Sequence, residues 1–449
     1  MHVERGKGLD IAVVGSGVAG LTCAWLASQR HRVTLYEAAP RLGGHTNTVD
    51  VSTPVGPQPV DTGFIVFNEA TYPNLIALFA HLGVATQVSD MSFAVSLDDG
   101  RLEYAGTDLN GLFAQRANLL SPRFLFMLRD LLRFYREAPG KLAGLETLSL
   151  GDFLARDGYG RAFRDDHLLP MAAAIWSAPS RQLLDFPAAS FVRFCENHGL
   201  LKISDRPLWR TVTGGSKRYI EKLTAPFADR IRLGCPITSI AREAEGVRIG
   251  AGADGFARHD HVVLATHADQ ALALIEDPSP AEREILGAFR YSRNRAVLHR
   301  DTRLMPKRRK VWSSWNYFGR RGGEDAALCV SYWMNRLQNL PPERDYFVTL
   351  NPVREPSEVL YETSYEHPAF DLAALAAQKR LWSLQGHGNV WFCGAHFGAG
   401  FHEDGAQAGL AVAEAIGGVR RPWTVAKESG RIFLADPARI GHDTGRAAA

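Results

Sequence analysis

An apolar run from Ile11 to Val14 leads into Gly15-Ser16-Gly17-Val18-Ala19-Gly20. A helical period follows, then a second apolar run from Arg32 to Tyr36 that ends on Glu37. This predicts strand, turn, helix and strand over residues 9 to 37. VDTGFIVFN (Val60 to Asn68) places a short apolar run behind Asp61, and Thr71 to Gly83 is helical in period. Residues 91 to 106 alternate and turn at Asp98-Asp99-Gly100, which predicts a hairpin. From 108 to 204 the periods are mostly helical, with strong apolar faces at 112 to 136 and 150 to 176. Near Arg210 the pattern reverts to a glycine turn with a helix (TVTGGSKRYIEKLTAPF), strands (IRLGCPITSIARE, GVRI), and a buried strand opening a helix, HVVLATHADQAL from His261. Residues 290 to 350 are β-rich and aromatic, with VWSSWNYF and LCVSYWMN as strands. NVWFCGAHFGAG (Asn389 to Gly400) is the last strand, followed by FHEDGAQAGLAVAEAI as a helix that begins near Asp404-Gly405-Ala406. The tail after Gly418 is mixed, polar and expected to be partly loose.

At 449 residues the chain exceeds one ordinary core. A hydrophobic content of 46% with 22% charged residues is that of a globular enzyme, and a net charge of +3 gives no ground for nucleic-acid binding. The five cysteines (Cys23, Cys195, Cys235, Cys329, Cys393) are scattered and odd in number, which argues against a disulfide framework or a zinc site. The N-terminus lacks the apolar core of a signal peptide, and no run approaches a membrane span, so a cytoplasmic protein is expected.

Strand, glycine turn, helix, strand and acid form the dinucleotide-binding βαβ fingerprint. Gly15 permits the tight turn, Gly17 lets the backbone approach a pyrophosphate, and Gly20 lets helix and strand pack closely. The helix N-terminus offers unpaired N–H groups and a positive dipole end. Glu37 stands where a carboxylate accepts from a ribose 2′-hydroxyl, and it disfavours a 2′-phosphate. A second signal is Arg41-Leu42-Gly43-Gly44-His45. Its arginine can pair with a pyrophosphate and its glycines can pass close to a cofactor; an ordinary Gly-Gly turn is the alternative. A third is FCGAH…FHEDGA, where a helix N-terminus can face a negatively polarised oxygen; a strand, loop and capped helix without a ligand is the alternative.

Together with Val262–Thr266, these segments resemble the FAD-binding amine oxidase superfamily, which includes amine oxidases, protoporphyrinogen oxidases and phytoene-type desaturases. The resemblance covers nearly the whole chain. It implies FAD, with the ADP half on the first βαβ unit, Arg41 and the paired glycines along the pyrophosphate and ribityl chain, Ile237 near the adenine, and the last strand and helix at the flavin. Cofactor contacts are then expected at Gly15, Ser16, Gly17, Val18, Ala19, Gly20, Glu37, Ala38, Arg41, Leu42, Gly43, Gly44, His45, Ile237, Ala265, Gly394, Ala395, His396, Glu403, Asp404, Gly405 and Ala406. The chain departs from the group at His396, where members often carry an acid, and it shows no evident second cage aromatic to partner Phe401 and no placeable flavin-N5 lysine. These departures weigh against amine chemistry. RLGGHTNTVDV, VDTGFIVFN, AVLHRDTRLMP, SSWNY and CGAHFGAGFHEDG resemble a bacterial subgroup of NAD/FAD-binding proteins associated with enzymes that modify fatty acyl chains, such as cyclopropane fatty acid synthases.

The expected fold is therefore α/β. A discontinuous Rossmann-type FAD domain (1–90, 209–270, 387–418) receives an inserted α+β substrate domain (91–208, largely helical; 271–386, β-rich), and 419–449 is a tail. The expected function is dehydrogenation of an unsaturated or methyl-branched acyl chain with hydride passing to flavin N5. Amine oxidation, or a flavoprotein that assists a partner enzyme, are the alternatives. Residues 112 to 136 carry Leu and Phe with Arg116, Arg123, Arg129, Arg133 and Arg136, and Lys307-Arg308-Arg309-Lys310 adds a second basic patch. Either these are a core helix and a solvated loop, or they touch an anionic membrane peripherally. Trp312, Trp315, Tyr317, Phe318, Tyr332 and Trp333 are either sheet core or the lining of an apolar pocket. No histidine spacing suits a metal. His402 leads the candidates for a catalytic proton acceptor or donor, with Glu403 and Asp404 either acid/base groups or helix N-terminal charges.

Overall fold

A computed structural model describes residues 8–176, 180–202, 205–252, 255–321 and 328–434. The extreme N-terminus (1–7) and the end of the tail (435–449) lie outside the described residues. The apolar run Asp10–Val14 is the middle strand of a five-stranded parallel sheet. Arg32–Tyr36 and Ile231–Arg232 lie on one side of it, and His261–Leu264 and Val390–Phe392 on the other. Three distant segments thus build one sheet. Its strands read as continuous apolar runs because they are buried, with the helix Val18–Ala27 and the three-stranded antiparallel sheet Ser239–Glu243, Gly246–Gly250 and Phe256–His259 packed against them. The first helix, Val18–Ala27, is buried throughout and packs along the last helix, His402–Ile416. Glycine makes that approach possible: a side-chain atom added at Gly409 would lie 2.1 Å from the Ala19 carbonyl oxygen.

A seven-stranded mixed sheet forms the second layer. It takes the hairpin Phe93–Leu97 and Leu102–Ala105, then Arg290–His299, Trp315–Gly319, Cys329–Trp333, Phe347–Leu350 and Val359–Ala369. The hairpin turns at Asp98 and Asp99, both with positive φ, as the Asp-Asp-Gly sequence predicts. The insert between 108 and 204 is helical, with Pro122–Glu137, Leu169–Trp176 and Ala188–Asn197 as its longer elements.

Two expectations change. VWSSWNYF is not a single strand: the strand starts at Trp315, because the Asn316 amide donates to the carbonyls of Ser313 and Ser331 and Ser314 is held by Ser92. The last helix runs from His402 to Ile416, as FHEDGAQAGLAVAEAI predicts, and the Asp404 carboxylate accepts from the Phe401 N–H and caps it. The tail is docked through residue 434. Trp423 stacks on Trp25, buried Arg421 pairs with Glu414, and Arg431 pairs with Asp404. The Asp61 carboxylate, ahead of its apolar run, accepts from Ser216 and Gln338 and ties distant segments together.

Candidate active site

A cavity of about 740 Å³ opens along the carboxyl ends of the parallel strands, where Val14, Tyr36, Ala265 and Gly394 line it. This is the edge at which open α/β sheets bind ligands. Glu37, Ala38, Cys235 and Ile237 line one part of it, and the glycine turn from Gly15 to Ala19 lies beside them. The Glu37 carboxylate accepts from the Ser16 N–H (2.8 Å) and hydroxyl (2.6 Å) through one oxygen and from the Ala39 N–H (2.8 Å) through the other. Ser16 also receives the Gly43 N–H on its hydroxyl at 3.1 Å, which lays the second glycine turn on the first.

The wall fits a dinucleotide. A side-chain atom added at Gly17 would meet nothing within 4 Å, so the backbone there is open to a ligand. The first helix has no side-chain cap and no acid in its first turn, which leaves its leading N–H groups for an anion. Buried His45 Nε2, His198 Nε2, His396 Nε2, Trp176 Nε1 and Trp315 Nε1 lack protein partners, and all five residues line the cavity.

Not every expected contact lies there. Gly20 and Leu42 are off the wall: an added atom at Gly20 would sit 2.0 Å from the Gly15 carbonyl oxygen, so this glycine seats the helix on the turn, and Leu42 packs on the core. The Arg41 guanidinium braces its own turn, donating to Gly44 O at 2.9 Å and also to the carbonyls of Leu42 and Thr46. Glu403, Asp404, Gly405 and Ala406 also lie off the wall. Glu403 is buried and accepts from Asn74, Leu75 and Gln407; Asp404 pairs with Arg431; Gly405 abuts Val18. The two acids therefore hold the helix in place and do not line the cavity, which favours the helix N-terminal reading over the acid/base one and removes them from the expected cofactor contacts.

His402 does line the cavity. Its ring stacks on Phe64 with centroids 3.6 Å apart. Its Nε2 lies 2.9 Å from the Thr46 hydroxyl, which is 2.6 Å from that of Tyr219. Burial pushes its pKa down to about 3, so it is neutral near pH 7 and is no source of a proton as an imidazolium.

Five more histidines share the wall: His45, His198, His267, His367 and His396. His45 stacks on Tyr365 at 5.0 Å and meets His367 edge-on at 5.2 Å. His367 accepts from the Asn294 amide at 3.0 Å, and His267 stacks on Tyr291 at 4.1 Å. Burial lowers His367 to about 4 and His396 to about 3, and burial with the neighbouring histidines holds His45 well below its ordinary value. Such groups bind more protons unfolded than folded. Their stabilisation is complete above about pH 6.5 and is lost as pH falls toward about 4. The urea midpoint is expected to fall over that window, and less steeply in His367→Gln; a flat profile would contradict it.

Sequence reasoning missed Tyr365 and His367. The signal was the alternation of Tyr361, Thr363, Tyr365 and His367 in Val359–Ala369, which puts them on one face. Asn47 donates to both Tyr361 and Tyr365. The aromatic cluster divides. Trp315 and Tyr332 are directly paired across neighbouring strands and line the cavity, edge to face at 4.9 Å. Trp312 and Trp333 pack with Phe347 in a separate cluster, and Tyr317 lies in the main core.

A family described as flavin containing amine oxidoreductase matches residues 18–298, well over half of the chain. The protein belongs to this family of FAD-dependent oxidoreductases, and FAD is its cofactor. Solved structures share the fold at low identity. A redesigned putrescine oxidase is 16% identical with a TM-score of 0.67, covering 91% of this chain and 99% of that one. Cyclohexylamine oxidase from Brevibacterium oxydans is 18% identical with a TM-score of 0.64 over the same shares. A CLA-producing fatty acid isomerase from P. acnes is 16% identical with a TM-score of 0.62, covering 92% and 99%. Among curated proteins, the carotenoid phi-ring synthase of Chlorobaculum tepidum is 31% identical over 157 residues. That match takes in 34% of this chain and only 22% of the relative's length.

Proposed function

We propose that the protein removes two hydrogens from a long unsaturated or methyl-branched acyl chain, giving a further-unsaturated product. The observation that carries this is the cavity's apolar wall, with Ile65, Val66, Met91, Ile175, Trp176, Leu200, Trp315, Leu350 and Phe370 on it. Among the described residues, the only carboxylates lining the cavity are Glu37 and Glu366, and Glu37 is engaged by Ser16 and Ala39. An apolar chain is stabilised by such a wall, whereas an ammonium group lacks a buried countercharge there. The name of the carotenoid relative and that of the fatty acid isomerase point the same way.

When bound, FAD supplies the hydride acceptor, and dioxygen or another oxidant restores it. The chain's residues position and exclude water. The glycine turn and Glu37 hold the nucleotide half. Aromatic rings from the seven-stranded sheet align the acyl chain. His402, neutral and fixed by Thr46 and Phe64, is proposed to position the reacting carbon by contact and hydrogen bonding; with its pKa held down to about 3 by burial it is a weak acceptor for the departing proton. We take the domain boundaries expected from the sequence with this reading, the inserted pieces supplying most of the apolar wall and Ile65 and Val66 of the first piece the rest.

Lipid profiling of cells with and without the gene tests substrate class. A product two hydrogens lighter that depends on the gene is expected, and anaerobic bleaching of the purified flavoprotein by that lipid should follow. Amine oxidation is the second reading, supported by the family and by the paired Trp315 and Tyr332; peroxide formed with simple amines would favour it. Flavin reduced by neither would favour a role assisting a partner enzyme.

A further inference from the structure

Six exposed large apolar side chains fall between residues 109 and 132: Leu109, Leu119, Leu120, Leu125, Phe126 and Leu132, with Leu120 87% exposed. Single exposed leucines are ordinary, but a run of this kind on one short segment marks a contact surface. Ion pairs beside them turn the cation outward, while exposed Asp108 caps the Gly111 N–H. Arg123 pairs with buried Asp166, and Arg129 with buried Asp130, so the guanidiniums face solvent and the carboxylates do not. Arg116 is exposed as well.

Tertiary packing adds the second basic patch to the first. Val311 and Ala114 pack into one small cluster with Ala94 and Ala105, which sets exposed Lys310 beside the helix Leu109–Leu112. Arg308 repeats the pattern, pairing with fully buried Glu103. No helix among the described residues is long and apolar enough to cross a membrane. Apolar side chains flanked by outward cations match the acyl boundary and the headgroups of anionic lipid.

We propose that this face docks the protein reversibly on an anionic phospholipid bilayer. Leucine and phenylalanine side chains enter the acyl boundary while Arg116, Arg129 and Lys310 meet the phosphates. The test of this docking needs no turnover.

Vesicles of phosphatidylcholine with or without phosphatidylglycerol, sedimented with the FAD-loaded protein, supply the test. The protein is expected to pellet with phosphatidylglycerol-containing vesicles, and less so as salt rises. Leu120→Asp with Phe126→Asp should weaken this by about tenfold or more, because each places a charge in the apolar layer. Val55→Asp, at an exposed residue outside the face, should leave it unchanged, and all variants should keep the parent's flavin absorbance and melting temperature. Three outcomes would overturn the proposal: parent protein that stays in the supernatant, a double variant that pellets equally well, or a dimer abolished by Leu120→Asp, which would show that a second copy covers the face.

Discussion

Gly17→Ala is expected to fold as the parent does and to lose most of its affinity for FAD. At Gly17 the backbone is extended, with φ −64° and ψ 173°, so alanine fits without strain. A methyl group there meets no protein atom within 4 Å. It occupies instead the space through which a pyrophosphate reaches the leading N–H groups of the first helix. The dissociation constant for FAD, titrated into apoprotein by flavin fluorescence, should rise by about ten- to a hundredfold, equivalent to about 1.4–2.7 kcal/mol. The melting temperature of the apoprotein should stay that of the parent. Gly20→Ala is the contrasting case: its methyl group would lie 2.0 Å from the Gly15 carbonyl oxygen, which has no room to move in a buried turn. That variant should lose stability even without cofactor. Unaltered FAD affinity in Gly17→Ala would remove the glycine turn from the proposed cofactor site.

The second large effect is expected at Arg431, in the segment whose sequence suggested a loose tail. Its guanidinium donates to both Asp404 oxygens, at 2.6 and 3.1 Å, and to the Thr71 carbonyl at 2.9 Å. Asp404 is fully buried, so Arg431→Ala leaves a carboxylate in the core with no countercharge. Removing one partner of such a pair costs about 3–5 kcal/mol. The urea midpoint should drop accordingly. Adding Asp404→Asn to Arg431→Ala should restore part of the loss, since it removes the stranded charge. Asp404 also caps the last helix through the Phe401 N–H at 2.8 Å, and Phe401 and His402 lie on the cavity wall. The single variant is therefore expected to hold FAD less firmly. An unchanged midpoint would show that the Arg431–Asp404 pair contributes nothing to the fold.

The pattern of residues alone made the nucleotide half of the site legible. Gly15, Gly17, Gly20 and Glu37 lie within one βαβ unit, and their spacing follows from the local geometry of strand, turn and helix. Ser16 and Glu37 meet across 21 positions for that reason. Glu403 and Asp404 were misleading for the same reason: acids in a first helical turn suit the helix dipole, and the sequence has no sign of whether they face a ligand or the core. Their partners, Asn74 at one end of the chain and Arg431 at the other, come from separate elements.

The sequence by itself determined the class of fold and a turn suited to a dinucleotide, because continuous apolar runs and glycine spacing act over neighbouring residues; that the dinucleotide is FAD rests on the family. Only the tertiary structure decided which aromatics line the cavity, that His402 is held by Thr46 across 356 positions, and that the tail braces the last helix. The physical reason lies in contact range. A strand's alternation separates two faces, but which face meets a cavity depends on the layers packed against it. The charge state of a buried histidine likewise depends on everything that shuts water out.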